Sequence, residues 1–213
     1  MSGKERSQEI LTLLRKLYPD AKGTALNFSN ALELLVATIL AAQCTDGKVN
    51  QVTKVLLKRY RTPKDYAEAD LEELREIVKP TGFYRNKSKF IKAAAKKLVE
   101  DFDSEIPHSI EQMTKLPGVA RKTANIVLSN AYGVIEGVAV DTHVMRLSKR
   151  LGLTEQKNRD KIERDLMGLF PKEQWFELAN LLIAHGRSVC TARRPKCGEC
   201  VISELCPSAH TFD

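Results

Sequence analysis

Two groups of residues in this chain have types and spacings that can do chemistry. The first is the run Leu116-Pro117-Gly118-Val119-Ala120-Arg121-Lys122-Thr123-Ala124-Asn125. Its Pro-Gly pair reads as a turn directly before a helix, which puts Lys122 in that helix's first turn. A helix start carries N–H groups without intrahelical partners and the positive end of the macrodipole, so it can hold a phosphate. The same field disfavours an ammonium ion, and a neutral amine is a nucleophile. One short segment can therefore grip a nucleic-acid backbone and attack it. The plain alternative is a helix start followed by a solvated lysine.

The second group is at the C-terminal end. Four of the five cysteines, Cys190, Cys197, Cys200 and Cys206, follow the pattern C-x6-C-x2-C-x5-C. Four thiolates this close in sequence can converge on one metal centre. Two disulfides are the structural alternative, and the lack of an apolar secretion signal at the start argues against them. Spacing alone leaves zinc and an iron–sulfur cluster both open, and Pro207 after the last cysteine hints at iron–sulfur. Arg193, Arg194 and Lys196 lie in the loop between the first two cysteines. A loop pinned by a metal can present those cations to phosphates; they can also offset the thiolate charge. Cys44, at the end of an apolar helix, reads as a packed thiol.

The elements that must position these groups read as almost all helical. Ile10, Leu11, Leu13, Leu14 and Leu17 give an amphipathic helix stopped by Pro19. Asn30 is a candidate N-cap for a helix through about Gln43, apolar on most faces and so central to a core. Further helices are expected around Val49–Tyr60, Leu71–Val78 and Phe90–Val99, with Pro63 and Pro80 following the first two. A short helix follows Pro107, with His108 or Ser109 as its cap, and then comes the helix carrying Lys122. Gly133 and Gly137 punctuate a linker, the best candidate domain boundary. Later helices are expected near 142–151, 159–169 and 175–185, with Asp141 reading as an N-cap. Val138-Ala139-Val140 is the one β-like run, too short to build a sheet on.

Composition sets the class of partner. The chain has 213 residues, 43% hydrophobic and 29% charged, with a net charge of +7. That suits a globular protein with a polyanionic partner, nucleic acid above all. Basic residues cluster at 85–89, at Arg121-Lys122, at Arg146 with Lys149-Arg150, and at Arg193–Lys196. Each cluster alone reads as a solvated face. The longest nearly apolar run, Leu34 to Ala42, is too short to span a bilayer. The expected location is the compartment of synthesis, the cytoplasm in a prokaryote, with the nucleoid reached through DNA.

The hairpin with its lysine, Val140-Asp141-Thr142-His143 and the cysteine tail together resemble the endonuclease III family of bifunctional DNA glycosylases, in the helix-hairpin-helix superfamily. The resemblance covers nearly the whole chain, including Ala41-Ala42-Gln43-Cys44-Thr45-Asp46 and Gly82-Phe83-Tyr84-Arg85-Asn86-Lys87. It implies an all-α fold of two domains with a DNA-binding cleft between them. One is a six-helix module at 25–134, with its hairpin at about 109–131. The other is discontinuous, 1–24 with 135–213, and holds a [4Fe–4S] cluster on Cys190, Cys197, Cys200 and Cys206.

The implied activity is excision of oxidised pyrimidines from duplex DNA, followed by cleavage 3′ to the abasic site by β-elimination, performed by a monomer. Lys122 falls on the family's nucleophile and Asp141 on its essential carboxylate. Gln43 and Phe83 fall on the residues that fill the gap left by the extruded base. Phe83 can equally be a core contact after the Thr81-Gly82 turn. Tyr84, Arg85, Leu116, Gly118, Val119, Ala120, Arg121, His143, Arg193, Arg194 and Lys196 are the remaining expected DNA contacts.

Two positions depart from the family. Ala120 stands where a second hairpin glycine is usual, which restricts the hairpin; its N–H can still bind phosphate at negative φ, so DNA binding is expected to survive. Phe83 replaces a more usual leucine. A monofunctional adenine glycosylase is a rival, but it lacks the lysine, and it carries an acidic residue in the stretch that here runs from Leu34 to Gln43 without one. A non-catalytic DNA-binding protein with a structural metal is the rival from another class.

Overall fold

The computed structural model describes residues 3–211, which are helical with no β-strand among them. The chain divides into two compact units. One spans Thr24–Val134; the other joins the residues up to Gly23 with those from Ile135 onward. The chain passes between them inside the Gly133–Gly137 stretch.

The Thr24–Val134 unit contains α2 (Ala31–Leu40), α3 (Asp46–Arg59), α4 (Pro63–Glu68), α5 (Leu71–Val78), α6 (Tyr84–Asp101), α7 (Ile110–Met113) and α8 (Arg121–Tyr132). Every residue of α2 except Glu33 is buried, so this helix is the centre of the core. Asn30 caps it, its side chain accepting from the Glu33 N–H. Leu56, Leu74, Leu98 and Leu128, from four other helices, share its core. Each fully buried leucine contributes about 2 kcal/mol of hydrophobic transfer energy.

Two local features go beyond the sequence reading. Pro63 starts α4 instead of merely following α3. Thr62 and Asp65 form a reciprocal capping box, and proline is favoured at the first helical position. Past α5 the backbone tightens into a 3₁₀ turn, Lys79–Thr81, that includes Pro80.

The other unit contains α1 (Gly3–Leu17), α9 (Thr142–Arg150), α10 (Arg159–Leu169) and α11 (Trp175–Ser188). Ile10, Leu11 and Leu14 of α1 pack with Val144, Leu147, Ile162, Leu166, Leu178 and Leu182. Arg15 holds Glu177 through two bonds of 2.7 Å. The first helix is thereby fixed to α11, more than 150 residues away in sequence. Val138 and Val140 are buried as extended chain in this core. Among the described residues no helix is long and apolar enough to cross a membrane.

Candidate functional site

The hairpin is built from its core side outward. Ser109 Oγ accepts from the Gln112 N–H and starts α7. Leu116 and Val119, 2% and 6% exposed, anchor the connecting turn. Their N–H groups donate within it, to the Met113 and Leu116 carbonyls. These two residues therefore build the turn, and their side chains do not face outward.

Gly118 has φ +79°, and a Cβ there would lie 2.7 Å from Phe90 Cβ and Cγ. Both facts restrict the position to glycine. Ala120 is different: its φ is −90° and ψ 169°, extended backbone open to any residue. The second glycine of the family pattern is thus not required for this geometry. Ala120 is the N-cap of α8 and has no side-chain cap. The first intrahelical bond runs from the Ala124 N–H to the Ala120 carbonyl, so the first-turn N–H groups point along the axis. Arg121 is exposed and Lys122 half-buried in that turn.

Two other turns of the same unit put side chains outward through left-handed backbone. Gln43 has φ 53°, in the turn after α2, and is exposed. Phe83 has φ 48° directly before α6 and is 62% exposed. A bulky residue at positive φ is an outlier that persists only when its surroundings impose it. The exposure excludes the core-contact reading of Phe83. Tyr84 is half-buried against the core, and the exposed Arg85 guanidinium lies 5.8 Å from the Tyr84 ring centroid.

Lys87 departs from the sequence reading. Its neighbours Arg85 and Lys89 make it look like part of a basic surface cluster, yet it is only 3% exposed. Burial lowers its pKa, opposed by the nearby Cys44. The signal that identifies it is helical spacing: Lys87 shares a face with Ile91, Ala94 and Leu98, all buried.

In the other unit Asp141 caps α9. Its Oδ1 accepts from the His143 and Val144 N–H groups, both at 2.8 Å. One carboxylate oxygen thus forms the whole cap. His143 is half-buried with Nδ1 3.1 Å from the Arg146 guanidinium. Burial lowers its pKa; the Asp141 charge opposes this, and Arg146 adds to it. Arg146 turns inward, donating to the Gly186 and Cys190 carbonyls at 2.9 and 3.0 Å. Arg150 likewise donates to the Cys190 sulfur at 3.3 Å and the Thr191 carbonyl at 2.7 Å. Arg146 and Arg150 are therefore framework, while Lys149 of the same cluster is exposed.

Cys190, Cys197, Cys200 and Cys206 line one cavity, together with Leu147 and Ile202. All four are free thiols. Two 3₁₀ turns, Cys197–Glu199 and Ser203–Leu205, bring the last three round. His185 Nε2 is 3.3 Å from Cys200 Sγ, and its Nδ1 is 3.0 Å from the Tyr18 hydroxyl. Burial holds the His185 pKa down at about 4. Burial pushes the Cys200 and Cys206 thiols up, and charge on the neighbouring cysteines adds to this. Four free thiols lining one largely apolar cavity fit a cationic four-thiolate centre. Arg193 and Arg194 are exposed on the adjoining loop, while Lys196 pairs with Glu199 at 3.6 Å.

Comparison with known proteins places the chain in a family. Residues 36–172 match the model of the HhH-GPD superfamily base excision DNA repair proteins. Residues 190–206 match the iron-sulfur binding domain of endonuclease III. Endonuclease III of Synechocystis sp. is 52% identical over 208 residues, 98% of this chain and 94% of that protein. A non-covalent endonuclease III–DNA complex superposes with TM-score 0.93 at 40% identity, covering 99% of this chain and 98% of that one. A trapped endonuclease III–DNA covalent intermediate gives TM-score 0.94 at 41% identity, covering 99% of both chains. With its [4Fe–4S] cofactor, this all-helical chain belongs to the endonuclease III family of base-excision repair enzymes.

Proposed function

We propose that this protein is a DNA N-glycosylase with AP lyase activity that removes oxidised pyrimidines from duplex DNA and, in a prokaryote, works on the nucleoid in the cytoplasm. The observation that carries this reading is Lys122 in the first turn of α8, directly behind a Gly118 turn that admits no side chain. The α8 start takes a DNA phosphate through its N–H groups. The Lys122 amine then attacks C1′ of the damaged nucleotide. A C1′–N bond forms, and the C1′–base bond breaks, the base leaving with the electron pair and a proton. Ring opening gives a Schiff base, which acidifies C2′. Loss of a C2′ proton expels the 3′ phosphate and nicks the strand.

Asp141 is assigned the carboxylate that stabilises positive charge developing at C1′ and accepts the amine's proton. Its one capping oxygen leaves the other for that work. Gln43 and Phe83 fill the vacancy left by the extruded base. Tyr84, Arg85, Arg121 and His143 line the strand, and Arg193, Arg194 and Lys196 reach phosphates. Leu116, Gly118, Val119 and Ala120 supply the hairpin backbone. The hairpin module is assigned to 25–134 and the cluster domain to 1–24 with 135–213. Cys190, Cys197, Cys200 and Cys206 hold the [4Fe–4S] cluster, which ties the loop between them into one piece when bound.

Borohydride trapping on duplex DNA with an abasic site tests the assignment. Wild-type protein should give a covalent adduct and Lys122→Ala none. Absence of the wild-type adduct, or equal trapping by Lys122→Ala, would overturn it.

A further inference from the structure

Lys87 carries a role that the chemistry above does not use. Its Nζ donates to the Leu40 carbonyl at 2.8 Å and to the Thr81 carbonyl at 2.7 Å. Leu40 is the last residue of α2, and Thr81 is the last residue of the 3₁₀ turn before α6. Carbonyls at helix ends have no acceptor role inside the helix, and a cation is favoured beside them. A single ammonium therefore closes two helix ends at once.

Each of these ends leads into a left-handed turn. Gln43 comes three residues after Leu40, and Phe83 two residues after Thr81. Both are held at positive φ, at 53° and 48°. Left-handed backbone at glutamine and phenylalanine needs outside support. Lys87 sits at the root of both turns and fixes the two roots next to each other. Its own N–H also donates to the Phe83 carbonyl at 3.1 Å.

Helix α6 extends the same logic. Lys87 and Phe90 are spaced i, i+3 on α6, which starts directly after Phe83. Phe90 is the residue against which Gly118 packs. One helical face thus meets the Phe83 turn, the Gln43 turn through Lys87, and the hairpin turn. Burying an ammonium is unfavourable unless hydrogen bonds compensate it. A leucine or methionine would fill the volume without that cost, but would leave two buried carbonyls without a donor.

We infer that Lys87 is a positioning residue that sets the spacing of the Gln43 and Phe83 turns, and through them governs extrusion of the damaged base. The inference rests on the assignment of Gln43 and Phe83 as the gap-filling pair. Two side chains entering one vacancy in a base stack must be placed to within a fraction of an ångström. A misplacement of about 1 Å can cost on the order of 100-fold in rate.

The test separates excision from strand cleavage. An intact damaged base must be unstacked and unpaired before attack. A preformed abasic nucleotide has no base to extrude, so it asks less of the pair. Single-turnover rates for the holoenzyme are measured on a duplex with one oxidised pyrimidine and on the same duplex with an abasic site. Lys87→Met should lose at least about tenfold in excision while abasic-site cleavage stays within about threefold. In a Gln43→Ala/Phe83→Ala background, adding Lys87→Met should change excision less than about twofold, because the elements it positions are gone.

A wild-type ratio of the two rates in Lys87→Met overturns the inference, and so does an undiminished loss in the Gln43→Ala/Phe83→Ala background. Should Lys87→Met not fold, Lys87→Gln, which keeps an amide donor for one carbonyl, is read in the same way. Failure of both to fold overturns the inference in favour of a lysine that serves only the fold. Failure of the glycosylase assignment is distinct, since it abolishes wild-type trapping itself.

Discussion

Gly118 faces Phe90 so closely that a Cβ on Gly118 would lie 2.7 Å from the Phe90 Cβ and Cγ. That contact joins α6 to the hairpin turn and defines which of the two small hairpin residues is indispensable. Gly118→Ala meets both a left-handed φ, worth about 1–2 kcal/mol for a residue with a Cβ, and the Phe90 overlap. DNA affinity is expected to fall at least about tenfold, since each 1.4 kcal/mol or so is a factor of ten. Ala120→Gly is expected to leave affinity within about twofold, because φ −90° already suits alanine and glycine adds only backbone entropy. Titration of both variants against a duplex with an uncleavable abasic analogue checks the contrast. Equal loss in the two would refute it.

Asp141 offers a clean separation of stability from chemistry. Asn is as good an N-cap as Asp, so Asp141→Asn keeps the two bonds to the His143 and Val144 N–H groups. Its melting temperature should stay within a degree or two of wild type. Its excision rate should fall by about 100-fold or more, the scale for removing one stabilising group from a charged transition state. Asp141→Ala should lose the activity and about 1 kcal/mol of stability as well. Normal excision by Asp141→Asn would remove the carboxylate from the mechanism.

How far these residues were readable from sequence depends on what fixed them. The hairpin and the Asp141 cap follow local rules, in which Pro-Gly makes a turn and Asp starts a helix. The spacing of the four cysteines likewise carried its meaning in the chain itself. The left-handed turns at Gln43 and Phe83 did not, because neither residue type announces positive φ. Arg146 and Arg150 looked like surface charge, yet the carbonyls and sulfur they bind come from residues about forty positions later. Ala120 departs from the family pattern in sequence, and only its backbone angle of φ −90° shows that the departure leaves the turn unstrained. In each case the missing information was a partner distant in sequence or a backbone angle that the residue type does not announce.

His143 makes stability depend on pH in a stated direction. Burial lowers its folded-state pKa, so below the ordinary histidine value of about 6.5 the unfolded chain takes up a proton that the folded one does not. The unfolded state then binds more protons, and stability must fall as pH falls from about 6.5 toward the depressed folded value. The Arg146 charge beside the ring prevents easy rescue by protonation. Chemical denaturation of wild type and His143→Gln across pH 5 to 7, a window set by that ordinary value, should show a shallower slope in the variant. Parallel slopes would mean that His143 does not titrate between the two states.

The loop from Cys190 to Cys206 contains only two 3₁₀ turns of three residues each, so a metal on its sulfurs is expected to add to its order. Arg193 and Arg194 are exposed on it, and each is expected to displace about one phosphate counterion. Arg193→Ala and Arg194→Ala should each weaken binding to undamaged duplex and reduce the slope of log affinity against log salt by about one. Oxidative removal of the cluster should bleach the visible absorbance and reduce the slope as much as the double substitution, because a loose loop no longer presents its cations. The Lys122 adduct on abasic DNA should still form at saturating protein concentration, since α8 belongs to the other unit. A salt slope unchanged by cluster loss would show that the loop holds its phosphate-binding shape without its metal.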